Sequence, residues 1–80
     1  MITTEQIRAA RALLRISVVD LSRLSGVGVA TIKRIEAGSG IPASHARTLD
    51  EISRALVTAG VEFIGAPDDR PGVRLNKPQK

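Results

Sequence analysis

The chain has 80 residues, of which 42% are hydrophobic and only 1% aromatic, and its formal net charge is +4. This length allows one small domain, and a core of Leu, Ile, Val and Ala suits packed helices better than a β-sandwich. The absence of cysteine excludes disulfides and thiolate metal sites, and a single histidine argues against any other metal or haem site. Without a membrane-length apolar run or a signal-peptide pattern, we expect a cytoplasmic protein with no membrane partner.

The first three helices are predicted from capping patterns and glycines. Thr3 followed by Gln6, and Ser17 followed by Asp20, are capping boxes that begin helices 1 and 2. Gly26 ends helix 2, because glycine favours the left-handed turn that closes many helices. A third helix is expected from about residue 29 to residue 37, before the segment GSG and the following proline. The middle of the chain is therefore typical of two helices joined by a tight turn.

The last third of the chain changes its periodicity. A fourth helix with Ser44 as its N-cap is predicted over SHARTLDEISRALVTAG, since its apolar residues keep helical spacing until Gly60. VEFI and GVRL then read as two short strands separated by GAPDDRP, a linker, and NKPQK as a frayed tail. The strands could form a hairpin or pair with a second copy of the chain. We therefore expect a helical domain over 1–60, and a β segment with a tail over 61–80 as a candidate dimerisation element.

Helix 3 has two faces of different composition. On a helical wheel, Ile32 and Ile35 point to one side, and small or basic residues gather on the other. These outward residues are Ala30, Lys33, Arg34 and Ala37. Small side chains allow a close approach to a partner surface, and the two cations suit phosphates or guanine edges.

The segment SVVDLSRLSGVGVATIKRIEAG, residues 17–38, resembles the helix-turn-helix of the lambda-repressor-like (Cro/repressor-type) DNA-binding family. The resemblance covers about residues 3–59 and implies a mainly all-α, four-helix domain with helix 3 in the DNA major groove. Carried over by position, it implies that four residues meet the bases: Val29, Ala30, Lys33 and Arg34. The positions expected to contact the DNA backbone are Ser17, Arg23, Gly28, Thr31, Ser39, Gly40 and Ser44. It also implies a partly buried ion pair between Arg11 and Glu36.

Two positions depart from the family pattern. Val18 stands where a phosphate-binding glutamine is common, so Ser17 or Arg23 would have to make that contact. Gly28 stands where serine or threonine often caps helix 3. Glycine still caps acceptably and leaves backbone N–H groups open to a phosphate.

Other notable side chains have plainer interpretations. Arg8 and Arg15 are expected to be solvated, and His45 to be a surface residue without a role. Phe63 is expected either to fill the core or to lie at a dimer contact. As the only aromatic residue, it cannot build a base-stacking platform.

The function expected from these features is sequence-specific binding of double-stranded DNA by a transcriptional regulator that acts as a homodimer on an inverted repeat. The adjacent acids Asp50–Glu51 and Asp68–Asp69 point apart, so no catalytic carboxylate pair is expected, and neither enzyme activity nor a cofactor is predicted. The alternative is an antitoxin-like or adaptor protein whose main partner is another protein. The two strands could serve either function, because a strand edge can bind a partner strand.

Overall fold

The computed structural model of the protein describes residues 2–76, which form four helices followed by a two-stranded sheet. The helices are α1 (Thr4–Leu14), α2 (Val18–Ser25), α3 (Val29–Glu36) and α4 (Ala46–Thr58), and the strands are β1 (Val61–Ala66) and β2 (Asp69–Leu75). The predicted fold class, four helices with a short C-terminal β segment, is confirmed. No helix within residues 2–76 is long and apolar enough to cross a lipid bilayer.

The two predicted capping boxes are present. At α1, the Thr3 hydroxyl accepts from the backbone N–H of Gln6 at 3.1 Å, and the Gln6 side chain accepts from the N–H of Thr3 at 2.8 Å. Ser17 and Asp20 exchange the same two bonds at 3.0 and 2.9 Å. Gly26 closes α2 in the left-handed region, with φ of 76°. These local side-chain-to-backbone bonds set where α1 and α2 begin.

The predicted start of α4 is wrong by one residue. Its N-cap is His45, which makes no side-chain capping bond, and Ser44 is not the cap. Ser44 instead lies in the preceding turn, where its backbone N–H donates to the carbonyl of Pro42 at 3.0 Å. The geometry of the loop therefore decides where α4 begins, although the side chain of Ser44 is a better helix cap than that of His45.

The core lies between the four helices and the first residue of β1. Its fully buried aliphatic side chains are Ile7, Leu21, Ile32, Ile52, Leu56 and Val61. Phe63 and Val73 of the hairpin pack against this cluster and are partly buried. The hairpin thus contributes to the same core as the helices, which matches the core-filling alternative for Phe63.

The two strands pair with each other as an antiparallel hairpin, in a register that opposes Val61 to Leu75 and Ile64 to Gly72. The predicted linker GAPDDRP is wrong in extent, since only residues 67 and 68 lie between the strands. The register shifts at Gly65, where φ is 76° and an added Cβ would lie 2.2 Å from a backbone oxygen of β2. Because of this bulge, the two strands extend into residues whose glycine, proline and aspartate content predicts a turn. Of the expected tail NKPQK, residues 77–80 lie outside the described residues.

Candidate nucleic-acid interface

Helix α3 buries one side and exposes the other. Ile32 is fully buried and Ile35 is 5% exposed, so both hold the helix to the core. Ala30, Lys33 and Arg34 are exposed, whereas Val29 and Thr31 are half-buried at the borders of the outer face. The four residues expected to meet bases therefore lie on the outer side of α3 or along its edge.

The N-terminal end of α3 is open. Gly28 is the N-cap, and because it has no side chain it makes no capping bond. Nothing lies within 4 Å of the position that a Cβ on Gly28 would take. The first intrahelical bond runs from the N–H of Ile32 to the carbonyl of Gly28, so the preceding amides of the first turn remain without a helical acceptor. Unpaired N–H groups and the positive end of the helix dipole favour an anion such as a phosphate at this place.

The C-terminal end of α3 is tied to α1 by an ion pair. The Arg11 guanidinium donates to both carboxylate oxygens of Glu36, at 2.8 and 2.7 Å, and to the carbonyl of Ile16 at 3.1 Å. The Glu36 side chain is 9% exposed and that of Arg11 23% exposed. The hydrogen bond that Arg11 donates to this carboxylate raises the pKa of Arg11 above its ordinary value. The pair therefore fixes α3 against α1 and leaves neither partner free for DNA.

Arg8 is exposed, as predicted, but its side chain is also hydrogen-bonded to the end of α3. Its guanidinium donates to the backbone carbonyl of Glu36 and, at 3.3 Å, to that of Gly38. These two hydrogen bonds join α1 to acceptors that lie 28 and 30 positions later in the chain. The periodicity of α1 therefore could not predict them.

Apart from Arg8 and Arg11 of α1, the cations within residues 2–76 fall into two groups. Those of α4 and the hairpin each lie within 4.0 Å of a carboxylate, and they are Arg47, Arg54, Arg70 and Arg74. Within residues 2–76, the exposed cations between the end of α1 and the end of α3 have no carboxylate that close. These are Arg15, Arg23, Lys33 and Arg34. Uncompensated positive charge is thus concentrated on the helix-turn-helix segment, as a phosphate-binding surface requires.

The residues expected to contact a DNA backbone differ in how available they are. Arg23 and Ser39 are exposed, but the hydroxyl of the exposed Ser17 already accepts the capping bond of α2. Gly40 is engaged on both sides: its N–H donates to Glu5 at 3.0 Å and its carbonyl accepts from Thr4 at 2.8 Å. The N–H groups of Glu5 itself and of Gly40 lower the pKa of the Glu5 carboxyl. Gly40 therefore has no spare amide for a phosphate.

Arg34 lies on the side of α3 that faces the loop to α4. It lines an open cleft of about 370 Å³ together with Ala43, Ser44 and His45. Half-buried Ser44 and exposed His45 therefore lie near the outer face of α3, and His45 is the surface residue that was predicted. Sequence spacing could not place them there, because the eight residues between Ala37 and Ala46 are not helical.

Comparison with known families agrees with this geometry. A family model described as helix-turn-helix matches residues 7–56, which run from the first turn of α1 to the last turn of α4 and make up more than half of the chain. No curated protein matches the sequence.

Proposed function

Because the chain belongs to the lambda-repressor-like helix-turn-helix family of DNA-binding regulators, we propose that it binds a specific double-stranded DNA sequence as a homodimer and regulates transcription there. In this proposal α3 lies in the major groove of an inverted-repeat operator. Proteins of this architecture place the N-terminal part of the second motif helix against base edges.

The observation that carries the proposal is the outer face of α3. Lys33 and Arg34 are exposed and lie within 4.0 Å of no carboxylate in residues 2–76, so both can bond to guanine edges or phosphates. Val29 and Ala30 offer only apolar contacts, which suit a thymine methyl group. The amides after Gly28, which have no helical acceptor, add a phosphate site at the helix end.

We place the proposed dimer contact at the outer edge of β2, the edge that does not pair with β1. The N–H of Asn76 donates to the carbonyl of Gly60, so these two residues face each other as a hydrogen-bonded pair. Hydrogen-bonded and non-hydrogen-bonded pairs then alternate along the antiparallel strands. Val73 and Leu75 are then the positions on β2 that direct their N–H and C=O groups away from β1. Antiparallel pairing of these residues with those of a second copy, about a two-fold axis at Arg74, uses all four groups in each chain. Pro71 ends this edge, since it has no N–H to donate.

The experiment starts from a pool of random duplexes, from which the wild-type chain selects its preferred sequence. Mobility shifts across a salt series then compare this duplex with a scrambled one. We expect specific affinity that falls steeply with salt, because binding releases counterions from the phosphates.

The paired variants test the assignment of the face. Lys33→Ala with Arg34→Ala is expected to remove the sequence preference, at about 1–3 kcal/mol for each lost base contact. The matched control, Arg47→Ala with Arg54→Ala, removes the same charge from side chains that are 90% and 80% exposed on α4. We expect the control to keep its preference. Unchanged discrimination in the α3 variant would show that this face does not contact the DNA.

The antitoxin-like or adaptor alternative draws on a different surface. Leu24 is 56% exposed and borders a mainly apolar groove of about 490 Å³ with Ala55 and Thr58 of α4 and the C-cap Ala59. Exposed apolar patches are common at protein interfaces. A chain that selects no duplex from the random pool, even at low salt, would favour this alternative.

A further inference from the structure

The end of α3 differs from the ends of the two helices before it. α1 and α2 close with residues in the left-handed region, Arg15 with φ of 57° and Gly26 with φ of 76°. The C-cap of α3 is Ala37, which keeps the right-handed conformation, with φ of −74° and ψ of −16°. A left-handed closing turn lets the following N–H groups satisfy the last carbonyls of a helix. Without that turn, backbone donors serve these carbonyls only in part: the N–H of Gly38 donates to Ile35 at 3.3 Å, and within residues 2–76 the carbonyl of Glu36 depends on side-chain donors.

Side chains of α1 supply those donors. The buried Thr4 hydroxyl donates to the carbonyl of Ile35 at 3.1 Å. The Arg8 guanidinium donates to the carbonyl of Glu36 and, at 3.3 Å, to that of Gly38. Arg11 binds the Glu36 carboxylate. Residues 4, 8 and 11 are spaced by four and three, so they share one face of α1. That face holds the C-terminal end of α3, and the positive charge of Arg8 also suits the negative end of the helix dipole.

We propose that Arg8 is a positioning residue for DNA recognition, which acts through the end of α3 and not through a contact of its own with DNA. The inference rests on the proposed function. α3 has only eight residues, and Lys33 and Arg34 lie in the half of the helix that Arg8 holds. A small tilt of this end changes where both cations reach. Recognition sites tolerate displacements of only about 0.5 Å, so loss of the Arg8 contacts weakens discrimination between sequences.

The competing role for Arg8 is a direct bond to a phosphate, and the two roles differ in a measurable quantity. A lost phosphate contact reduces the slope of log affinity against log salt by about 0.9. A lost positioning contact leaves this slope unchanged and reduces the ratio of affinities for the selected and scrambled duplexes. Salt dependence therefore separates the two roles.

The test compares Arg8→Gln with Arg47→Gln, both in the full chain. Each variant loses one positive charge, and the Arg47 side chain is 90% exposed on α4. The probes are a duplex selected from a random pool by the wild-type chain and its scrambled counterpart. We expect Arg8→Gln to lower the affinity ratio about tenfold, within the range for one lost base contact. Its salt slope should equal that of Arg47→Gln, whose ratio should stay at the wild-type value.

Three results would overturn the inference. An unchanged affinity ratio would show that Arg8 does not position α3 for recognition, and a slope about one unit shallower than that of the control would make Arg8 a phosphate contact. Arg8→Lys keeps a cation that can reach a carbonyl, so it should restore part of the ratio; a ratio no better than that of Arg8→Gln would count against the proposal. If Arg8→Gln does not fold, Arg8→Lys is compared with Arg47→Lys, and an unchanged ratio again overturns it. A wild-type chain that prefers no duplex would instead contradict the proposed function.

Discussion

Replacing Arg11 with methionine tests how strongly the ion pair between α1 and α3 stabilises the domain. The change keeps most of the side-chain volume but removes two charged hydrogen bonds to Glu36 and one to the carbonyl of Ile16. The Glu36 carboxylate, 9% exposed, would then be charged with little access to solvent. Breaking a buried pair costs about 3–5 kcal/mol. Because Arg11 is 23% exposed, we expect the lower end, about 3 kcal/mol.

This loss is large for so small a domain. A chain of this length has a free energy of unfolding of about 4–12 kcal/mol, and about 3 kcal/mol lowers Tm by roughly 12–24 °C. The assay is thermal and urea unfolding followed by far-ultraviolet circular dichroism, since the chain has neither Trp nor Tyr to report by fluorescence.

A companion variant separates the pair from the volume change. Arg11→Met combined with Glu36→Met removes both charges, so it should be less destabilised than Arg11→Met alone. The reasoning is refuted if Arg11→Met costs less than about 1 kcal/mol. It is equally refuted if the double variant loses the sum of the two single effects.

Three further predictions concern the hairpin, the closing turns and pH. At Gly26 the Cβ of an alanine meets open space, so Gly26→Ala costs only backbone strain, about 1–2 kcal/mol. At Gly65, with the same φ of 76°, the Cβ would lie 2.2 Å from a backbone oxygen. Urea unfolding should therefore show the larger loss of stability for Gly65→Ala, and equal losses would contradict this. In the proposed dimer, Arg74→Cys should form a disulfide with a second copy after oxidation, detected by non-reducing electrophoresis. Glu62→Cys, which breaks the same ion pair, should not form one. A crosslink only at position 62 would place the two-fold axis elsewhere. The pKa of Glu62 is lowered by Arg74 and that of Asp20 by the backbone N–H of Ser17. Their stabilisation is therefore present above their unfolded values near 4 and is lost as pH falls from there through the lower folded values; a Tm that does not fall between pH 6 and pH 3 would contradict it.

The parts of the fold that were predicted correctly depend on residues close together in the chain. Thr3 and Ser17 each cap a helix through a residue three positions later, so a short window contains the whole interaction. The start of α4 was missed because the turn at Pro42 decides it, and the strand lengths because the bulge at Gly65 depends on β2. The contacts of Arg8 could not be predicted, since its acceptors lie 28 and 30 residues away.

The proposed dimer also follows from the limited polar chemistry of α3. Val29 and Ala30 cannot form side-chain hydrogen bonds, so discrimination by such bonds rests on Lys33 and Arg34. At about 1–3 kcal/mol for each base contact, one copy gains about 2–6 kcal/mol over non-specific DNA. Specific binders need about 4–10 kcal/mol against the many competing sites of a genome. Two copies reach about 4–12 kcal/mol if both cations of each copy meet bases correctly. With so few contacts, each must be well placed, which is the reason to propose that the contacts of α1 with the end of α3 support recognition.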